Sequence, residues 1–352
     1  MAGTADPPSP PDPKGRGLEP FLSVLIVAHG RTQFVAEALE SVRRQRLDRT
    51  AFEILLATDQ PTPSIRAAAR DSGARLSTPP SGHWGEWVLD LTDAARGEVL
   101  CFLDDDDLFH EDKLAEVRRV FGAHPKLEYY HNAVVPFGEA GSGVAPPRDR
   151  RPYGPDRGLL QDVDKATVDA ESLFWAGGGF NASAIAVRRE LVRAEANRLR
   201  AVERSHSLAL FYLALLRSSD LYFDGRPWTR YRLHSENWSA TRGAPLREQW
   251  GRLARDAPPI LRDVDRIRSW IEEGDRPWLR SEAVRSIGAR AHLVASITPG
   301  PSTRRSRASL LASYLRLSPR SVVWGQRGLV GVAALSLLAR GWAARWVASS
   351  GR

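Results

Sequence analysis

One cysteine, Cys101, stands in 352 residues, so no disulfide framework can form and a reducing compartment is the natural setting. Long apolar runs are also missing. The longest, Gly328 to Ala339, falls short of the roughly 20 residues that span a bilayer. Residues 1–19 lack the apolar core of a secretory signal and are dense in proline, glycine and charge, so a disordered tail is expected there. No P-loop and no G-x-G-x-x-G fingerprint follows any apolar run of the first half. Finally, no acid follows Glu282, while arginines continue to Arg352.

The formal charge of +8 raises nucleic acid as a partner, but acids and bases are interspersed up to Glu282, which argues against it. A basic C-terminal segment suits an anionic membrane surface instead. Arg340, Trp342, Arg345 and Trp346, alternating with apolar residues, fit a helix lying in the membrane interface. An ordinary C-terminal helix packed on the domain fits the same residues.

What is present centres on residues 98–107, Glu-Val-Leu-Cys-Phe-Leu-Asp-Asp-Asp-Asp. Val99 to Leu103 reads as a strand buried on both faces, and it ends in four carboxylates. Adjacent acids repel one another, and a hard divalent cation completed by substrate phosphates is one way to neutralise them. A solvated acidic turn is the other reading.

The flanking pattern alternates strands and helices. Leu22 to Ala28, Phe52 to Thr58, Ala74 to Thr78 and Leu127 to Val135 read as strands; Thr32 is the expected N-cap of a helix using Val35, Ala38, Leu39 and Val42; further helices are expected over 64–71, 84–95 and 111–122. This rhythm predicts an α/β fold with a mostly parallel central sheet flanked by helices, a Rossmann-like nucleotide-binding half. Right-handed crossovers put His29, Asp59 and Asp104 to Asp107 on one sheet edge, where open α/β sheets bind ligands. Gly138 to Asp164 has no periodicity and reads as a lid, binding loop or insertion. Leu221 to Phe223 and Trp228 to Leu233 suggest a hairpin around Asp224-Gly225. Beyond Thr241 the pattern is helical, with breaks expected at Pro258, Pro259 and Pro277.

Taken together, Ser23 to Gln45, Glu53 to Asp59, Gly97 to Leu114 and Tyr231-Arg232-Leu233-His234-Ser235-Glu236-Asn237-Trp238-Ser239 resemble, in order and spacing, the segments of family 2 inverting glycosyltransferases. The resemblance implies a GT-A fold over 20–240, with a nucleotide-sugar half at 20–135 and an acceptor half at 136–240. A helical extension at 241–298 and basic amphipathic helices at 299–352 would follow. It implies a D-x-D segment in which Asp104 and Asp106, with His234, hold Mn2+ or Mg2+, and in which Asp106 is the principal ligand. Ala28, His29, Arg31, Asp59, Gly82, Asp104 and Asp105 would line the nucleotide-sugar site. The family's Glu-Asp pair, which carries its base, is replaced here by Val202-Glu203-Arg204-Ser205-His206-Ser207, leaving Glu203 and then His206 as candidate catalytic bases.

The implied activity is transfer of a sugar from a nucleotide diphosphate sugar to a hydroxyl of a glycan, lipid-linked or small-molecule acceptor. The expected location is cytoplasmic, peripheral at the inner face of the membrane. The alternative is a non-catalytic relative that binds nucleotide sugars without a competent base.

Overall fold

The computed structural model describes residues 20–79, 82–138, 158–161, 173–217, 220–234, 246–276, 279, 281–297, 307–320, 323 and 327–338. The expected tail at 1–19, most of the loop after Gly138, the stretch from Ser235 to 245, Pro277, the linker before Arg307 and the residues from Ala339 onward lie outside them.

The sheet is built from β1 (Leu22–Ala28), β2 (Phe52–Thr58), β3 (Arg75–Ser77), β4 (Val99–Asp104), β5 (Leu108–Phe109), β6 (Leu127–Gly138), β7 (Gly158–Gln161), β8 (Ile185–Arg188) and β9 (Asp220–Leu233). Its order is β3-β2-β1-β4-β8-β6-β9-β5, and β7 also pairs with β9. The first four strands are parallel, as the alternation predicts. β8 is antiparallel to both β4 and β6, whereas β6 and β9 run parallel. β1, β2 and β4 are buried almost end to end, which explains their unbroken apolar sequences. α1 (Val35–Arg43), α2 (Pro63–Ser72), α3 (Trp84–Ala94) and α4 (Lys113–Ala123) connect the parallel strands or follow the acid run. α5 (Arg189–Ala194), α6 (Ala196–Arg200) and α7 (His206–Leu216) lead into β9.

Three local expectations are corrected. The N-cap position of α1 is Phe34, without a side-chain cap; Thr32 contributes its backbone carbonyl, which accepts from Val35 N–H at 3.3 Å. The hairpin at Asp224-Gly225 is instead one strand with a bulge. Asn132 pairs with Asp224 and Val134 with Thr229, so β9 loops out between them and continues in the same direction. The Asp224 carboxylate gathers the extra residues by accepting from Arg226 N–H at 2.9 Å, Trp228 Nε1–H at 2.9 Å and Tyr130 O–H at 3.0 Å. Third, Pro258 and Pro259 do not break the helix. α8 runs through them from Leu246 to Glu273, because Ala257, Ile260, Val264, Ile267 and Trp270 all bury one face in the core. α9 (Glu282–Ile297) packs on α8, and α10 (Arg307–Leu317) and α11 (Arg327–Leu338) continue the helical layer.

Two cores sandwich the sheet. One face buries Val24, Ile26, Cys101, Leu103, Leu114, Val117 and Phe121. The other buries Leu25, Phe102, Trp87, Phe211 and the apolar stripes of α8 and α9, so the helical extension shares the core of the sheet domain.

Candidate active site

The three parallel strands end level with one another: Ala28 lies opposite Thr58, and Val27 opposite Asp104. The residues just beyond each end therefore meet. Gly30 turns the chain out of β1 at φ 73°, a left-handed conformation that favours glycine, and its N–H donates to both oxygens of Asp59 at 3.0 and 3.2 Å. His29 Nε2 is 3.9 Å from the Asp59 carboxylate, and its ring lies 5.1 Å from Trp87 on α3. Gly82 adjoins the same turn of α3, beside Glu86 and Trp87.

Arg31, next along, reaches across to the acid run. Its Nε and Nη2 donate to the two oxygens of Asp105 at 3.1 and 3.0 Å, Nη2 also donates to Asp106, and Nη1 lies 3.3 Å from His234 Nε2. His234 Nε2 is in turn 3.0 Å from Asp106 Oδ2. Residues from the β1 turn, the β4 end and the β9 end, up to 203 positions apart, thus share one guanidinium.

The four aspartates divide by environment. Asp107 is fully buried and accepts from Asn181 Nδ2 at 2.7 Å, Ser183 Oγ at 2.7 Å and Arg232 N–H at 2.9 Å, so it is a structural carboxylate. Burial and the neighbouring Asp106 push it up to about 7. Asp105 is pushed to about 6, by burial and then by Asp106. Asp106 also suffers burial, yet the His234 hydrogen bond and Arg31 hold it below the usual carboxylate range. Asp104 is raised well above that range by burial and by its three acidic neighbours, and its N–H donates to Ser183 Oγ at 2.9 Å. The pair that meets at the guanidinium is therefore Asp105 and Asp106.

Below this rim lies a support layer that sequence reasoning missed. Lys113 is fully buried, sits 4.0 Å over the Phe109 ring, and donates to Thr229 Oγ1 at 2.8 Å and to the Ser183 carbonyl. Burial pulls its ammonium down to about 7. Arg232 is clamped between the rings of Phe34 and Phe137, at 4.3 and 4.6 Å, and donates to the Asp106 carbonyl at 2.7 Å and to Glu37 at 2.8 Å. Asn181 takes φ 64°, unusual for a residue with a side chain, and aims its amide at Asp107. Lys113, six residues after Asp107, and Arg232 of the Tyr-Arg-Leu-His segment are the signals of this layer that the sequence carries.

The donor set fits a divalent ion. Asp106 and His234 offer a carboxylate oxygen and an imidazole nitrogen at one point, and Arg31 marks that point as a place for positive charge. Among the described residues no three acidic, histidine or cysteine groups form a closed cluster. A site with so few protein donors suits an ion that takes its remaining ligands from a diphosphate.

The two candidate bases separate sharply. Glu203 accepts from Arg262 Nε and Nη2 at 2.8 and 2.6 Å and from Arg266 Nη1 at 3.2 Å, and Arg262, with Arg266, holds its carboxyl down at about 2 against the opposing effect of burial. A carboxylate so engaged is a poor proton acceptor. Its backbone is tied down as well: the amides of Glu203, Arg204 and Ser205 all donate to Asp263 of α8, at 2.7 to 3.3 Å. His206 stacks on Trp84 with 4.5 Å between centroids and 16° between planes. Its Nδ1 is buried without a hydrogen-bond partner among the described residues, and burial lowers its pKa to about 4, so the imidazole is neutral at neutral pH. Trp84 and Trp87 both belong to the first turn of α3, which thus carries His206 on one side and His29 on the other. That turn is held by a close approach at Gly85, whose N–H donates to the Val202 carbonyl at 3.2 Å and where a Cβ would sit 2.1 Å from the Leu199 carbonyl.

Among solved structures, the chain is similar to S. aureus TarS 1–349 in complex with UDP, at 13% identity and TM-score 0.54, with 90% of each chain covered. The same protein in complex with UDP-GlcNAc gives 13% identity and TM-score 0.53, covering 90% of this chain and 91% of that one. At such identity the likeness is one of fold. No curated protein matches the sequence. Residues 23–171 match the description of glycosyl transferase family 2, a segment that runs from β1 through the acid run and past β6. That segment matches glycosyl transferase family 2 and lies within a GT-A fold, and the two together support a glycosyltransferase.

Proposed function

We propose that the protein is a metal-dependent inverting glycosyltransferase that moves a sugar from a nucleotide diphosphate sugar to an acceptor hydroxyl of a glycan, a lipid-linked sugar or a small molecule. The observation that carries this reading is the meeting of Arg31, Asp105, Asp106 and His234 at the level ends of β1 and β4. On this reading 20–135 hold the donor and 136–240 the acceptor, while 241–298 brace the acceptor side from behind. Ala28, His29, Gly30, Asp59 and Gly82 line the nucleoside end. Asp106 and His234 hold Mn2+ or Mg2+, with Asp104 beside them, and the ion when bound supplies charge stabilisation to the departing diphosphate. Asp105 stays paired with Arg31, which keeps that guanidinium at the diphosphate end of the site.

His206 is the base. Its neutral imidazole accepts the acceptor hydroxyl's proton while that oxygen bonds to the anomeric carbon from the face opposite the leaving group. The bond from the anomeric carbon to the diphosphate oxygen breaks, and the electron pair leaves with the nucleoside diphosphate. One displacement on one face inverts the anomeric centre. The bound nucleotides of the TarS structures make uridine donors the first to test.

The decisive experiment is transfer from a panel of nucleotide sugars with Mn2+, comparing the native chain with Asp106→Ala and His206→Gln. Loss of about 100-fold or more in each variant, with an inverted product, is expected. Unchanged turnover in Asp106→Ala would remove the metal assignment, and unchanged turnover in His206→Gln would remove the base. The cytoplasmic, membrane-peripheral location belongs to the same proposal. Its support is the charge of the C-terminal segment.

A further inference from the structure

Two helices at the C-terminal end present apolar faces outward. On α10, Leu310, Leu311 and Tyr314 are buried, while Ala308, Ala312 and Leu315, spaced at helical intervals, are exposed. On α11, Val332, Ala333 and Ser336 are buried, while Gly331, Ala334, Leu335 and Leu337 are exposed. α10 and α11 pack against each other. Of the large apolar side chains that are exposed among the described residues, Val135 lies on the sheet domain; the other three are Leu315 at 42%, Leu335 at 49% and Leu337 at 44%. Among the described residues, the exposed large apolar side chains are therefore concentrated on one pair of helices, which single scattered residues would not produce.

Along the chain that carries these helices the charge has one sign. From residue 283 to 352 the sequence holds eleven arginines and no aspartate or glutamate. Arg316 and Arg320 are exposed at the end of α10, directly beside Leu315. Arg316 also lines a cavity of about 550 Å³ with Arg268 and Arg285. Within that cavity Arg285 is paired with Glu282 at 3.0 Å, and Arg268 lies 3.5 Å from Glu272, so the uncompensated charge resides on α10 and the chain beyond it.

We propose that α10 and α11 form a docking face for a bilayer surface that carries anionic lipid. Leu315, Leu335 and Leu337 enter the boundary between headgroups and acyl chains, and the arginines pair with lipid phosphates and carboxylates around them. A second copy of the chain is the rival occupant, but two such faces would bring two acid-free, arginine-rich segments together. The repulsion disfavours that pairing, while an anionic bilayer is complementary to it. The inference does not depend on the donor, the metal or the base assigned above.

Co-sedimentation of the full chain with vesicles tests it directly, using zwitterionic phosphatidylcholine alone or phosphatidylcholine mixed with phosphatidylserine. Partition is expected to rise by about tenfold or more with the anionic lipid and to fall as salt is added. The triple variant Leu315→Ser, Leu335→Ser, Leu337→Ser removes only exposed side chains, so its circular dichroism should match the native chain while its partition into anionic vesicles drops to the zwitterionic level. Equal partition into both vesicle types, or full partition by the folded triple variant, overturns the proposal. So does a dimer seen by sedimentation equilibrium that the triple variant abolishes in a chain that does not bind vesicles, which would assign the face to self-association. Nucleotide-sugar turnover on a soluble acceptor, measured alongside, separates failure of this face from failure of the active-site reading.

Discussion

At the scale of single residues, the active-site rim is governed by one cation shared among acids. Arg31 neutralises Asp105 and Asp106 together and touches His234. Removing it leaves buried Asp105 without its cation and Asp106 with His234 alone, so Arg31→Ala is expected to destabilise the chain by about 3 kcal/mol. Mn2+ should restore much of that loss, giving a larger metal-induced rise in melting temperature than in the native chain; equal rises would show that the ion and the guanidinium do not share a place. Histidines make a second prediction. His131 is buried, shares a 2.7 Å hydrogen bond with the Phe180 carbonyl, and burial lowers it to about 4; His206 is lowered to about 4 likewise. Both are depressed below the ordinary 6.5, so the unfolded chain binds more protons between those limits. Their contribution to stability is therefore complete above about pH 6.5 and is lost as the pH falls toward about 4. Asp105 and Asp107, raised to about 6 and about 7, act in the opposite sense over the same range, so the check is by difference: between pH 7 and 4 the urea midpoint of His131→Leu should fall less, or rise more, than that of the native chain.

Elements show where the sequence was readable. The run from Val99 into four aspartates announced a buried strand with a polar tip, and the structure has β4 there with its acids at the sheet edge. Which of those acids faces the guanidinium was not readable, because it depends on Asn181, Ser183 and Arg232 drawing Asp107 inward from elements 74 to 125 positions away. Asp224-Gly225 carries a turn signature that a hairpin and a bulge share, and the Asp224 hydrogen bonds decide for the bulge. Glu203 looked like a base for want of any sign that α8, some 60 residues on, would meet it with two arginines. The α8 contact makes its own predictions. Asp263→Ala strips the acceptor from three buried-side amides and should cost about 3 kcal/mol by denaturant titration. Glu203→Gln removes a half-exposed ion pair and should cost only about 1 kcal/mol, with transfer activity retained. A collapse of activity in Glu203→Gln would return the glutamate to the chemistry.

Over the whole molecule, the alternation of strands and helices was enough for the parallel half of the sheet, since each crossover there is local and each strand is uniformly apolar. The mixed half was less legible. β8, β6 and β9 pair across long intervening stretches, and nothing in their short sequences specifies direction. The helical extension was visible as pattern but not as core: it buries Ile260, Val264, Ile267 and Leu293 in the same cluster as Leu25 and Phe102 of the sheet.

Lysine is the scarce cation here, with Lys14, Lys113, Lys126 and Lys165 its whole complement, and Lys113 sits sealed under the acid run while Lys126 is exposed. Burial both lowers the Lys113 amine to about 7 and keeps reagent from it, so acylation there requires an opening of the surrounding structure. Closure of the fold alone keeps it inert, which makes Lys113 a built-in chemical clock for opening of the floor beneath the acids. Brief acylation followed by peptide mass spectrometry should modify Lys126 at once and Lys113 only as fast as that floor breathes.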